Sequence, residues 1–292
     1  MTGTRERYER YVAERHRPAH GRRTAGRWAA FLLPHLRPEM RLLDLGCGPG
    51  SITVGLGTRA IGADLHPVRI DGVPVVGADA RALPFPAGVF DAIFANALLQ
   101  HVADALAVLR EARRVARPGA VIGVGDVDWD GHLLHPRHPL LERGRQIREA
   151  VRERADVRVG RRLRGLLAAA GFERVEVGVT GEAAGTSRAV AAMADFEREW
   201  FEAPEVIAHV TVLGISGAEE MAAIAAAWRR WSADPAACAA TLWFTALAWA
   251  PPDRPPHEGG HPPLPQRLSA TGGIDPSSAL STRALDVPII DR

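Results

Sequence analysis

Apolar positions fall into two rhythms along this chain. Short runs bounded by glycine or aspartate lie at 41–45, 60–63, 73–76, 92–95 and 120–124, the texture of buried strands. Longer segments repeat at helical spacing. A helix is predicted over 104–116, with Leu106, Leu109 and Ala112 on one side and Arg110, Glu111 and Arg114 largely outward, ended by Pro118-Gly119. Upstream, 4–17 reads as an exposed helix with Glu6, Arg10 and Glu14 at i,i+4 spacing, broken at 18–21. A second helix, 24–36, carries Trp28, Phe31 and Leu32 on one side and stops at Arg37-Pro38. An arginine-rich helical stretch, 140–170, closes at Gly171-Phe172, and Val175, Val177 and Val179 then alternate as a strand. Residues 183–234 are helical again. Within them Ser216 and Glu219 form a capping box before a helix whose Met221, Ile224, Trp228 and Trp231 face one way. One more buried strand is predicted at 241–250. Strands alternating with helices imply an α/β fold built on a parallel sheet with right-handed crossovers.

Composition narrows the function. All 36 cations are arginine against 34 acids, a net charge of +2, and the lysine-free usage reads as GC-rich coding. That balance speaks against a general nucleic-acid binder. The two cysteines, Cys47 and Cys238, show no zinc or disulfide spacing. The charged N-terminus and the absence of an apolar run of about 20 residues predict no signal peptide and no membrane span, hence a cytoplasmic location. Residues 251–292 hold 9 prolines and little apolar periodicity, and a disordered tail is expected there.

The informative segment is Leu42-Leu43-Asp44-Leu45-Gly46-Cys47-Gly48-Pro49-Gly50-Ser51. A strand runs into three glycines within five residues, and a helix is expected to begin near Ser51. Such a turn lets main chain approach a ligand closely and offers the N–H groups of a helix start to an acceptor. Asp64 ends the second strand, 20 residues after Asp44, where a carboxylate can accept both ribose hydroxyls. Asp79 ends the third strand, in reach of an adenine amino group. Either acid alone reads equally well as a turn residue. Acids at three successive strand ends beside a glycine loop describe a nucleoside pocket at the carboxyl edge of the sheet.

Here the sequence resembles the class I S-adenosylmethionine-dependent methyltransferases, in LLDLGCGPGS (42–51), IGADLHP (61–67), GADARALPFPAGVFDAI (77–93), LLQHV (98–102) and LREARRVARPGA (109–120). The order of residues 23–38 resembles the ubiquinone/menaquinone-biosynthesis type, which includes many small-molecule methyltransferases of bacterial secondary metabolism. The resemblance implies a Rossmann-like seven-stranded, mostly parallel sheet of order 3-2-1-4-5-7-6 with its last strand antiparallel. It implies S-adenosylmethionine as cofactor, bound by Asp44, Gly46, Cys47, Gly48 and Gly50 around its methionine half, Asp64 and Leu65 at the ribose, Asp79 and Ala80 at the adenine, and Asn96. The loop is GxGxG rather than GxGxxG, which leaves NAD as the second choice. Two departures stand out: only six residues, 66–71, separate Leu65 from Gly72 where the family has a helix, and Ala120 replaces the second glycine of a PGG turn.

The implied organisation is an N-terminal helical cap (1–38), a cofactor domain (39–182 and 238–250), a helical substrate lid (183–237) and the tail. His101 is the candidate general base. His20, Asp126, Trp129 and Trp200 are candidate acceptor contacts. Asp126, Asp128 and Asp130 alternate, as acids facing one side or as capping residues of a polar loop. His132, His135 and His138 have spacing compatible with zinc, but Pro136 and Pro139 argue for a loop, and no metal is expected. Tyr8 and Tyr11, with His20, would either cover the cofactor or belong to a surface helix. Residues 137–164 carry 10 arginines against 4 acids. They read as a phosphate track or as a solvated face with pairs such as Arg145–Glu149 and Glu149–Arg152. The expected reaction is methyl transfer to a small organic acceptor such as a secondary metabolite or quinone. The alternatives are a cofactor-binding cyclase or binding protein that transfers no methyl, and an RNA methyltransferase.

Overall fold

A computed structural model describes residues 2–152 and 155–253; all but the first residues of the expected tail lie outside them. The seven strands are β1 (Arg41–Leu45), β2 (Arg59–Asp64), β3 (Val75–Gly77), β4 (Phe90–Asn96), β5 (Ala116–His135), β6 (Glu173–Ala184) and β7 (Cys238–Trp249). They form one sheet of order β3-β2-β1-β4-β5-β7-β6. β1 to β5 pair in parallel, and β7 runs antiparallel to both β5 and β6.

Strand alternation sends neighbouring residues to two separate cores. Leu43 and Leu45 of β1, Ile93 and Ala95 of β4, and Ile122 and Val124 of β5 pack with helices α3 (Ala105–Val115) and α5 (Val159–Ala169). Leu42, Ala92, Phe94 and Val121, from the same strands, pack with Ala25, Ala29 and Leu32. Leu106, expected on the apolar side of α3, is only partly buried, whereas Val108, Leu109, Ala112 and Val115 are fully buried.

A third apolar core is built mainly by helices, with Ala239 of β7 at its edge. α4 (Pro139–Ala150), α6 (Ser187–Glu202), α7 (Pro204–Val212) and α8 (Ala218–Ser232) bury Leu141, Trp200, Phe201, Val210, Ile224 and Trp228 together. Gly144 permits the close approach of α4, since a Cβ there would lie 2.8 Å from Phe201 Cζ and 3.0 Å from Ile224 Cγ2. α1 (Thr2–His20) lies on α7, with Tyr8 and Tyr11 packed against this helical core.

Several expected elements differ. The 24–36 helix is one short turn, α2 (Ala25–Trp28), followed by a 3-10 turn at Leu33–His35; Pro34 cannot donate the backbone hydrogen bond that a continuous helix requires. No α-helix follows the glycine loop: a 3-10 turn, Thr53–Gly55, fills the short span to β2. The 140–170 stretch divides into α4 and α5. Ser216 caps nothing: its hydroxyl donates to Glu220, and Gly217 is the N-cap of α8. β5 continues to His135, so Asp126, Asp128 and Asp130 lie on a strand paired with β7 rather than in a loop.

Candidate active site

The carboxyl ends of β1, β2 and β4 bring the glycine loop, Asp64 and the 97–102 turn together. Gly46 and Gly50 both have positive φ, +69° and +77°. A Cβ on Gly46 would stand 2.9 Å from Leu98 Cδ1, so the LLQHV segment is seated directly on the loop. Ile70, from the short β2–β3 crossover, fills the space beside Gly50: a Cβ there would lie 2.3 Å from its Cδ1. One isoleucine thus supplies packing at the loop where the crossover lacks a helix.

Asp64 ends β2 and accepts from Gly48 N (2.9 Å) and from His66 N (2.9 Å), which fixes the loop to the second strand. Both oxygens retain a lone pair for hydroxyl donors. Leu65 beside it is 65% exposed, an uncovered apolar side chain where a nucleoside ring would lie. Asp44 does not reach into this space. It is buried and accepts from Thr53 Oγ1 at 2.6 Å, and burial pushes its carboxyl up to about 7. The Cys47 side chain is likewise inside, its Sγ 2.6 Å from where a Cβ on Gly62 would be, and burial raises the thiol to about 12. Asp79 is clamped by Arg81, whose Nη2 lies 2.6 Å from Oδ2, and these hydrogen bonds lower the carboxyl to about 2. Ala80 follows it, partly buried against the core.

The turn after β4 is held from below. Ala97 sits at φ 55°, a backbone position that non-glycine residues rarely take, and its N–H donates to Gly125 O at 2.8 Å. Buried Asp126 accepts from Leu99 N (2.8 Å), Gln100 N (3.3 Å) and Val127 N (2.9 Å). Burial pushes its carboxyl up to about 7 against these hydrogen bonds. Its observed task is therefore to position the turn that carries Gln100 and His101. His101 is exposed on that turn. Asn96 accepts from Arg23 at 3.3 Å and lines a cavity of about 80 Å³ with Trp28, Phe31 and Trp243. A larger groove, about 460 Å³, lies beside Arg41 and Arg59 at the opposite ends of the strands.

Beyond this turn lies the helical core, joined to it through Trp129. Trp129 of β5 donates from Nε1 to Gln100 Oε1 at 3.2 Å. Trp200, buried on α6, is in hydrogen-bond contact with Tyr8 of α1. Tyr8 also stacks on His209 of α7, with ring centroids 4.4 Å apart. At its other end α1 reaches the glycine loop, where His20 O accepts from Ser51 Oγ at 2.6 Å. Burial, helped by Arg23, lowers the His20 imidazole to about 4. α1 therefore spans both halves of the site.

The arginine-rich segment is not one solvated face. Arg145 pairs with Glu142 and Glu149, Arg158 with Asp130, and Arg161 with the buried Asp128. Arg152 makes no ion pair with Glu149. It turns inward, 4.3 Å from the centre of the Trp129 ring. Arg148 is buried and pairs with Glu197 of α6. Periodicity marks neither as inward, because their partners lie on other elements. His132 contacts Thr241 Oγ1 at 3.0 Å, and His138 caps α4 by accepting from Leu140 N. Among the described residues no His, Cys, Asp and Glu group is arranged to hold a metal ion.

A family model for a methyltransferase domain matches residues 43–124. These residues, β1 to β5 with the glycine loop, are thus similar to a methyltransferase domain. The chain is 36% identical over 118 residues to the 27-O-demethylrifamycin SV methyltransferase of Amycolatopsis mediterranei, 33% of this chain and 42% of that protein. It is 37% identical over 118 residues to the demethylmenaquinone methyltransferase of a Roseiflexus species, 36% of this chain and 47% of the relative. The chain thus spans about half the length of the curated relatives it matches. A putative methyltransferase from Bacillus halodurans shares the fold, with a TM-score of 0.52 at 14% identity, over 77% of this chain and 99% of the other. No helix among the described residues is long and apolar enough to cross a membrane.

Proposed function

We propose that this protein transfers a methyl group from S-adenosylmethionine to a small organic acceptor bound beneath the helical cover. The observation that carries the reading is the junction at Gln100. Its backbone is tied to Asp126 on β5, and its side chain to Trp129 under the helices. Leu98, two residues earlier, rests on the glycine loop. A donor at that loop and an acceptor under the cover would meet at this turn.

Gly46, Gly48 and Gly50 would seat the methionine half, with Asp64 holding the ribose hydroxyls and Leu65 flanking the nucleoside. Asn96 would close the donor pocket at the end of β4. Asp44 and Cys47 would act from inside, through Thr53 and the packing against Gly62. Asp79 would share its carboxylate between Arg81 and the adenine, beside Ala80. When bound, the cofactor supplies an electrophilic methyl that a nucleophile displaces in line.

α1, with His20 at its end, and α6 to α8, in place of a free-standing lid, would exclude water and hold the acceptor against Trp129 and Trp200. His101, exposed on the turn, would accept the proton of a hydroxyl or amine acceptor. The two relatives named above act, by their names, on demethylrifamycin and demethylmenaquinone, in keeping with an acceptor of that size. Incubation with S-adenosylmethionine and a panel of phenols, quinols and amines should yield S-adenosylhomocysteine with at least one class. In that reaction His101→Ala should lower kcat by about 10²-fold or more. Tight cofactor binding with no product across the panel would favour a non-methylating protein and overturn the proposal.

A further inference from the structure

Three arginines converge under the helical cover with too little negative charge among them. Arg148 and Arg152 flank one ring, their guanidinium carbons 5.7 and 4.3 Å from the centre of Trp129. Arg148 is also 5.2 Å from Trp200. Arg15 faces them from α1, its guanidinium 3.7 Å above the Phe196 ring. Among the described residues Glu197 is the one carboxylate paired within the group, and it is taken by Arg148. The hydrogen bond of Arg152 goes to a carbonyl, Arg148 O, at 3.3 Å. All three guanidinium nitrogens of Arg15 are buried without a hydrogen-bond partner, as is Nε of Arg148.

Such an arrangement is unfavourable as plain structure. Guanidinium keeps its proton in proteins, and a buried cation without a counter-charge costs several kcal/mol by general estimate. Ring faces offset only part of that cost. Burial and the neighbouring Arg148 lower both Arg15 and Arg152, the latter to about 10. Packing offers no reason for the charge: methionine would fill these positions among Trp129, Phe196 and Trp200 equally well. What the cluster suits is an anion. Planar guanidinium forks bind carboxylate and phosphate in bidentate fashion, and the flanking indoles suit a flat body attached to that anion.

We infer that the acceptor carries a carboxylate or phosphate, held by Arg15, Arg148 and Arg152 with its body against Trp129 and Trp200. This deepens the methyltransferase reading and rests on it for the word acceptor. Gln100, bonded to Trp129, links the anion pocket to the turn that bears His101. The other end of an anchored molecule would then lie at the donor loop. The arginines are positioning residues in this scheme, setting which molecules bind and in which direction they point.

The test uses the full chain saturated with S-adenosylhomocysteine and titrated calorimetrically with pairs that differ in charge. One arm compares benzoate with benzamide, the other phenyl phosphate with phenol. At least one anion should bind about tenfold or more tightly than its neutral partner, and the arm with the larger ratio identifies the anion class. R152M and R15M should each cut the ratio below about threefold while S-adenosylhomocysteine affinity stays within about threefold. Without ligand, R15M should melt no lower than the parent protein, since it removes an uncompensated charge. Should R152M fail to fold, R15M alone decides. Equal binding of charged and neutral partners overturns the inference. So does absence of anion binding up to about 20 mM, or a ratio that survives both substitutions. A chain that binds S-adenosylhomocysteine without preferring anions refutes the anchor and leaves methyl transfer standing. Anion preference in a chain that binds no S-adenosylhomocysteine would do the reverse.

Discussion

The proposed donor side of the site is assembled from short contiguous runs at the ends of three neighbouring strands, whereas the proposed acceptor side is gathered from α1, α4, α6, α7 and the far half of β5. On the donor side, backbone does the work: the Gly48 N–H reaches Asp64, and the loop accommodates Leu98 and Ile70 because Gly46 and Gly50 lack a Cβ. On the acceptor side, long side chains do it, namely Trp129, Trp200, Arg15, Arg148 and Arg152. A backbone cradle constrains residue type at fixed spacing. A side-chain pocket constrains only what arrives there in space, so it tolerates almost any spacing.

The separation can be broken most severely at Trp200, which is 2% exposed in the helical core. Trp200→Ala should destabilise that core by about 3–5 kcal/mol, read by chemical denaturation. S-adenosylhomocysteine affinity should hold below the transition, and a parallel loss would show that the two sides are one unit. Gly46→Val imposes a β-branched side chain at φ +69° against Leu98. It should weaken cofactor binding by about 100-fold, equivalent to roughly 3 kcal/mol of strain and clash, measured by calorimetry. Unchanged affinity would mean that the cradle is not where the donor sits.

Asp126→Ala leaves the N–H groups of Leu99 and Gln100 without their buried acceptor. A loss of about 1–3 kcal/mol is expected, along with a fall in turnover larger than any change in cofactor affinity. Equal losses in both would place Asp126 on the donor side instead. A further expected effect is a pH slope at Asp44. Its carboxyl titrates at about 7 in the fold because of burial, against about 4 in an unfolded chain. Between those values the native state holds the extra proton. The contribution of Asp44 to stability is therefore full below about pH 4, declines as pH rises to about 7, and is flat above. Asp44→Asn should remove that decline from the pH–stability curve. An identical slope in the variant would assign it to other groups, Asp126 first, since burial raises it in the same direction.

Much of the sheet was legible because buried parallel strands leave short apolar runs, and strand order followed from the resemblance. The helix expected after the glycine loop was not realised, since the span to β2 accommodates only a 3-10 turn, Thr53–Gly55. Asp126, Asp128 and Asp130 read as a loop because strand β5 continues beyond its apolar stretch, held by pairing with β7. That pairing joins residues more than a hundred positions apart and leaves no local signature. Gln100, beside the singled-out His101, went unnoticed as a polar residue in a turn. Its importance comes from Trp129, 29 residues away.

The sequence by itself determined the glycine loop with its neighbouring acids, the α/β topology and the resemblance to methyltransferases, because positive φ, strand ends and the acid spacing are local demands written into residue type. Only the tertiary structure decided which arginines matter. Arg145 and Arg148 are three residues apart on one helix, yet one is partly exposed among Glu142 and Glu149 and the other lies buried beside Trp200. The difference arises from what packs against α4. Burial, and with it the cost of a charge, is a property of the assembled molecule and not of the chain.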